Sequence, residues 1–191
     1  MNRSRDLFWQ LTEPEHLRAR AFCRKLTGNR DDGDDLYQDA LVAAFTRFES
    51  LREIEAFRGW LYRIIVNAFK NRRRRPWYRR FHPLTPEIAE TAAGDNPVEG
   101  QAAKRKLEIA FRSVTPEDKA LVTLFEMEGW SIGEIAQMQN TSEGAIKMRL
   151  SRTRKKMRMA LMKHRPQTMG VKPKSKLRED KLCVATKPGQ D

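Results

Sequence analysis

Apolar residues recur along this chain at intervals of three and four, and no segment alternates polar with apolar as a half-buried strand would. The pattern predicts an all-α protein. Leu17, Ala21, Phe22 and Leu26 line a first helix that Gly28-Asn29 ends. The acidic run Asp31-Asp32-Gly33-Asp34-Asp35 opens the next helix, where the dipole favours negative charge. Tyr37, Leu41, Ala44, Phe45 and Phe48 form its apolar stripe. A third helix, FRGWLYRIIVNAFKNRRRR, carries Phe57, Trp60, Leu61, Ile64, Ile65 and Ala68 at helical period, and Pro76 stops it.

From Pro76 to Gln101 the period is lost among prolines and glycines, which reads as a flexible linker. Helical spacing returns near Ala102. Leu107, Ala110, Phe111 and Val114 make one helix; Thr115-Pro116-Glu117-Asp118 supplies a cap, a first-turn proline and first-turn acids for another. The predicted organisation is therefore two small helical domains, residues 7–76 and 102–163, joined by a linker at 77–101. A basic tail at 164–191, rich in proline, glycine and lysine, reads as disordered.

Within the second domain, Ser131 to Met157 reads as a helix-turn-helix. Ser131 and Glu134 form a capping box, Ile132, Ile135 and Ala136 follow at helical spacing, and Asn140-Thr141 makes the turn. Thr141 or Ser142 caps the second helix, in which Ala145, Ile146 and Leu150 are expected to face inward. Lys147, Met148, Ser151, Arg152 and Lys155 fall on the opposite side, a cationic stripe suited to a DNA major groove. A helical hairpin with a merely solvated basic face is the alternative.

Charge narrows the choice. The 191 residues carry 38 Lys and Arg against 25 Asp and Glu, a net +13 that makes a polyanion the expected partner. No apolar run approaches the roughly 20 residues of a membrane span, so no membrane insertion is expected, and the N-terminus lacks the features of a secretory signal. Cys23 and Cys183 make no disulfide framework, which fits a reducing cytoplasm.

The polar face of the third helix adds chemistry. Arg63, Asn67, Lys70, Asn71 and Arg74 recur at i, i+4, i+7, i+8 and i+11 as one stripe. Asparagine is a poor helix former, but its amide donates and accepts at once, as reading a base edge requires. A solvated face is the alternative. Trp60 sits in the apolar period and reads as core, whereas Tyr62 lies off it and stays open between packing and base stacking. An enzyme is the less favoured class: His16, Cys23, His82 and His164 have no phosphate loop, metal-ligand pair or nucleophile motif beside them, so no catalytic residue, metal or cofactor is assigned.

In order, these segments resemble the extracytoplasmic-function (ECF) group of bacterial RNA polymerase sigma factors, in the sigma-70 family. DDGDDLYQDALVAAF resembles the second-region helix with its D-L-x-Q-[ED], and FRGWLYRIIVNAFKNRRRR the F-x-x-W-L-x-x-I-x-x-N helix. VTPEDKALVTLFEMEGWSIGEIAQMQNTSEGAIKMRLSRTRKKM is similar to the fourth-region domain, and a short linker replaces any third region. The resemblance spans about residues 7–163. Departures are Thr115 where the family usually has Leu, and Ala145 and Met148 for the common Thr and Ser.

The resemblance implies a non-enzymatic specificity subunit that binds core RNA polymerase and promoter DNA, in some relatives restrained by an anti-sigma factor. It implies that the first domain melts and reads the −10 element, with Asn67 contacting a flipped base and Arg63, Lys70, Asn71 and Arg74 holding neighbouring phosphates or bases. Asp35, Gln38 and Asp39 would meet the polymerase clamp. The second domain would read the −35 element through Lys147, Arg149, Ser151, Arg152 and Arg154. Two elements roughly 17 base pairs apart lie about 60 Å from one another, and the linker reaches about 85–90 Å at full extension. A helix-turn-helix regulator that never joins polymerase is the alternative function.

Overall fold

The computed structural model describes residues 3–74 and 97–164, and all regular structure among them is helical. Helices α1 (Arg3–Thr12), α2 (His16–Thr27), α3 (Arg30–Arg47) and α4 (Phe57–Arg74) form an N-terminal unit; α5 (Pro97–Arg112), α6 (Pro116–Glu126), α7 (Ile132–Gln139) and α8 (Glu143–Lys163) form a C-terminal one. Helix α5 starts at Pro97, ahead of the Ala102 where the apolar period resumes, with proline in its first turn. The side chain of Arg74, the 77–96 part of the expected linker and the tail beyond His164 lie outside the described residues.

Local chemistry sets the helix ends. Gly28 closes α2 at φ 93°, in the left-handed region glycine enters without steric cost, and its N–H donates to the Arg24 carbonyl. Asn29 then caps α3, accepting from the Asp32 N–H at 2.7 Å. Arg20 and Arg24 of α2 both clasp Asp34 of α3 through paired bonds of 2.6–2.8 Å. These bonds hold the Asp34 carboxyl well below the usual carboxylate range. The two helices pack so closely that a Cβ on Gly33 would lie 2.5 Å from Arg24 Cα.

The apolar stripes of α2 and α3 differ in detail from the expected ones. On α2, Ala19, Phe22, Cys23 and Leu26 are buried at i, i+3, i+4 and i+7, and Leu17, two residues before that series, points outward at 75 % exposure. On α3 the buried positions are Leu36, Tyr37, Ala40 and Ala44, while Phe45 turns to the surface and stacks on Trp9. Burial pushes the Cys23 thiol pKa up, which makes it an inert core residue. His16 is exposed, its ring nitrogen paired with the Tyr37 hydroxyl at 2.9 Å.

The two units pack against each other along α2, α4, α6 and α7, and their cores form one apolar cluster. Trp130, in the turn between α6 and α7, is the plug: it is 3 % exposed, with its ring 4.8 Å from that of Tyr62 and the Arg58 guanidinium 4.5 Å above it. Tyr62 is therefore core, and base stacking is ruled out for it in this arrangement. Trp60 is half-buried, packed edge-on to Phe48. Ion pairs frame the seam: Lys25–Glu128 at 2.8 Å, Arg58–Glu134 at 3.3 Å and Lys70–Glu117 at 3.2 Å.

Candidate nucleic-acid interfaces

Helix α4 buries Leu61, Ile65 and Phe69 and leaves Arg63, Asn67 and Asn71 exposed at i, i+4 and i+8. These three form the row the spacing predicts. Lys70 does not join it. One residue round the helix, Lys70 faces the C-terminal unit, half-buried against Glu117. Burial opposes ionisation of Glu117, yet its own backbone N–H and Lys70 hold its carboxyl below the usual value.

Between α3 and α4 lies an open groove of about 540 Å³. Asp35, Gln38 and Asp39 line one wall, Asn67 and Asn71 the other, and Ala43, Ile64 and Ala68 the apolar floor. The residues expected to meet polymerase and those expected to meet DNA thus share one concavity. Arg47 and Arg72 complete its lining, and sequence reasoning assigned neither. A signal for Arg72 was present: it continues the Ile64–Ala68 spacing of α4 by one turn, onto the face that packs against α3.

In the C-terminal unit the helix-turn-helix forms around the expected signals. Ser131 Oγ accepts from the Glu134 N–H, and Glu134 Oε2 accepts from the Ser131 N–H at 2.7 Å, a complete capping box. Those bonds, the backbone one foremost, hold the Glu134 carboxyl below its usual value. Asn140 takes the turn at φ 53°, and Ser142 caps α8. Ile146, Leu150 and Thr153 are the buried face of α8. Ala145 is exposed rather than inward, because it precedes Ile146 by one residue, about 100° round the helix from that stripe.

Lys147, Ser151 and Arg152 are exposed along α8, Lys147 in a 3.4 Å surface pair with Glu143 one turn back on the same helix. Arg149 and Arg154 are otherwise engaged. Arg149 Nε donates to Asp118 Oδ1 at 2.7 Å, and Arg154 Nε donates to Glu126 Oε1 at 2.9 Å. Both bonds tie α8 to α6. In α6 Lys119 is 6 % exposed beneath the Phe111 ring, and burial, with Arg73 nearby, lowers its ammonium pKa to about 7.

Residues 11–79 match the family described as Sigma-70 region 2, and residues 104–157 the one described as Sigma-70, region 4. The chain belongs to the sigma-70 family of RNA polymerase sigma factors. Its relatives are of the ECF group. The ECF RNA polymerase sigma factor SigM of Mycobacterium tuberculosis is 32% identical over 152 residues, 78% of this chain and 74% of that one. The ECF RNA polymerase sigma-E factor of Escherichia coli is 32% identical over 134 residues, 64% of this chain and 70% of that one. Two solved structures share the fold: the sigma factor RpoE bound to the anti-sigma factor NepR from Bartonella quintana, and CnrH bound to the cytosolic domain of CnrY. The first has TM-score 0.57 at 23% identity, covering 82% of this chain and 99% of that chain. The second has TM-score 0.56 at 22%, covering 83% and 89%.

Proposed function

We propose that this chain is an alternative sigma factor that joins core RNA polymerase and directs promoter-specific initiation, with residues 7–76 acting on the −10 element and 102–163 on the −35 element. The carrying observation is the pairing, in one chain, of an exposed Arg63–Asn67–Asn71 row with a capped helix-turn-helix whose Lys147, Ser151 and Arg152 are open. Asn67 contacts a base extruded from the melted strand. Extrusion costs a few kcal/mol of stacking, which base-edge hydrogen bonds offset. Asp35, Gln38 and Asp39 dock on the polymerase. Arg152 discriminates at the −35 element, where a bidentate contact to guanine contributes about 1–3 kcal/mol.

Lys70, Arg149 and Arg154 have a different status in this arrangement, because each is paired with an acid of α6. Helix α4 touches α7, and α7 touches α8. Packed helix axes lie 8–10 Å apart, so the two reading helices stand within about 20 Å of each other at their contacts. The promoter elements are separated by about 60 Å. The seam therefore opens before both elements are bound, and Lys70 is released from Glu117 to reach DNA. An anti-sigma factor, the partner class named for the sigma factor RpoE, would act by holding the seam shut.

Co-purification with core polymerase tests the proposal against the regulator alternative. The tagged full chain should retain the core subunits stoichiometrically, and an Asp35→Lys/Asp39→Lys variant should lose them. Failure of the unaltered chain to bind core would reject the sigma reading.

A further inference from the structure

We propose that Lys119 is a carbon dioxide site: its amine takes up CO2 as a carbamate, which pairs with Arg73 across the seam between the two units. The modification stands apart from the sigma reading, and only its consequence for promoter binding rests on it.

A half-enclosed cavity of about 30 Å³ lies between α4 of the N-terminal unit and α5 and α6 of the C-terminal one. Phe69 and Arg73 of α4, Glu108 and Phe111 of α5 and Lys119 of α6 line it. That is room for about two waters, and so for a linear triatomic molecule, but not for a hydrated multivalent anion. Lys119 is 6 % exposed, with its ammonium 4.7 Å from the Phe111 ring centroid and no ion pair among the described residues. Arg73, half-buried over Phe69, likewise has no ion pair among them. Glu108 Oε1 is buried without a hydrogen-bond partner. Arg112 also lines the cavity but has a partner of its own.

Two cations that face one cavity without an acid paired to either favour an anion there. Burial, with Arg73 nearby, leaves a large share of the Lys119 amine neutral near pH 7, and the neutral amine is the nucleophile. CO2 is uncharged, so it enters past Phe69 and Phe111 without the desolvation that a free anion would need. The Nζ lone pair attacks the carbon, a C=O bonding pair moves onto oxygen, and one N–H proton passes to Glu108 Oε1. A carbamate and a neutral Glu108 replace an amine and a carboxylate, so the net charge is unchanged. The carbamate accepts from the Arg73 guanidinium and from the Glu108 O–H, which gives all three groups a partner. Because Arg73 and Lys119 belong to different units, the new pair ties the seam shut and opposes the opening that binding both promoter elements requires.

The test equilibrates the full chain with isotopically labelled bicarbonate and carbonic anhydrase at about pH 7.5, where an ordinary lysine is almost wholly protonated. Triethyloxonium then fixes carbamates as ethyl esters for peptide mass spectrometry. Label at Lys119 should exceed that at exposed Lys147 and Lys155 at least about tenfold. Arg73→Gln should cut it about threefold or more, with a thermal melt confirming the fold. No label at Lys119, or no more than at the exposed lysines, overturns the site, and label unmoved by Arg73→Gln overturns the pairing. The tether is read by scattering on Lys25→Glu, which loosens the seam at the Lys25–Glu128 pair. Bicarbonate, against matched chloride, should shrink its radius of gyration, and adding Lys119→Met should abolish that response. Label without compaction overturns the tether alone, whereas failure to retain core polymerase overturns the sigma reading and leaves the label standing.

Discussion

The Trp130 ring of the C-terminal unit stands 4.8 Å from the Tyr62 ring of the N-terminal unit, and Arg58 lies across its face. One tryptophan thereby joins the unit that would read the −35 element to the helix that would read the −10 element. Aromatic burial of this kind is worth more than the ion pairs around it, so the pairs tune a closure that Trp130 drives.

Lys25→Glu places like charges at the position of the 2.8 Å Lys25–Glu128 pair, where both side chains are mostly buried. The closed state should weaken by roughly tenfold, equivalent to about 1.4 kcal/mol. Small-angle scattering should record a larger radius of gyration for Lys25→Glu, restored towards the original by adding Glu128→Lys. An unchanged radius in the single variant would remove the pair from the closure.

Gly33→Ala should separate α2 from α3. The added Cβ would meet Arg24 backbone atoms at 2.5 and 2.7 Å, and backbone cannot rotate away. The expected loss is about 2–3 kcal/mol, a melting shift on the order of 10 °C. Gly59→Ala is the matched control. Its Cβ meets only Met138 Cβ at 3.9 Å, so its melting point should hold or rise slightly.

Lys119 sets a pH dependence. Its ammonium pKa is about 7 when folded against 10.5 in the free side chain, so between those values the unfolded chain holds a proton that the folded chain has lost. Stability should therefore rise with pH from 7 to about 8.5, at up to about 1.4 kcal/mol per unit. Above that range first Cys23 and then Tyr37 and Tyr62, whose pKa values burial raises, act in the opposite direction. Lys119→Met should flatten the rise and lift the melting point at pH 7, as chemical denaturation at each pH would record.

Arg149 and Arg152 should separate fold from reading. Arg149→Ala leaves Asp118, 10 % exposed, without its 2.7 Å partner and should cost about 1 kcal/mol after discount for the partly exposed arginine. Arg152 is exposed, so Arg152→Ala should leave the melting point unchanged and weaken −35 duplex binding by about 1–3 kcal/mol in a mobility-shift titration. A stability loss in Arg152→Ala, or none in Arg149→Ala, would reverse these roles.

The helix-turn-helix was legible because its signals are local: Ser131 with Glu134, Asn140 at the turn and Ser142 at the next cap all act within four residues. The α4 stripe was legible from period alone for Arg63, Asn67 and Asn71. What period cannot show is which flank of a helix meets a second unit. Tyr62 lies off the expected apolar stripe yet is buried between Phe22 of α2 and Trp130, and Lys70 leaves the polar row for Glu117. Arg72 was hidden for a related reason. In a run of four arginines only the packing of α3 distinguishes the one that faces Asp32, Asp35 and Asp39. The polar and apolar periods belong to single helices, whereas these residues belong to contacts between them.

On the proposed function, the chain would give core polymerase its promoter specificity through Asn67. Runoff transcription with core polymerase over a promoter library tests it most directly. The full chain should support initiation from a discrete subset of templates, and Asn67→Ala should lower that initiation at least about tenfold while leaving core binding intact, the loss of one base-edge contact in the melted strand. Initiation indistinguishable between the two chains would contradict a base contact by Asn67, and no initiation above core alone would contradict a sigma role for the chain.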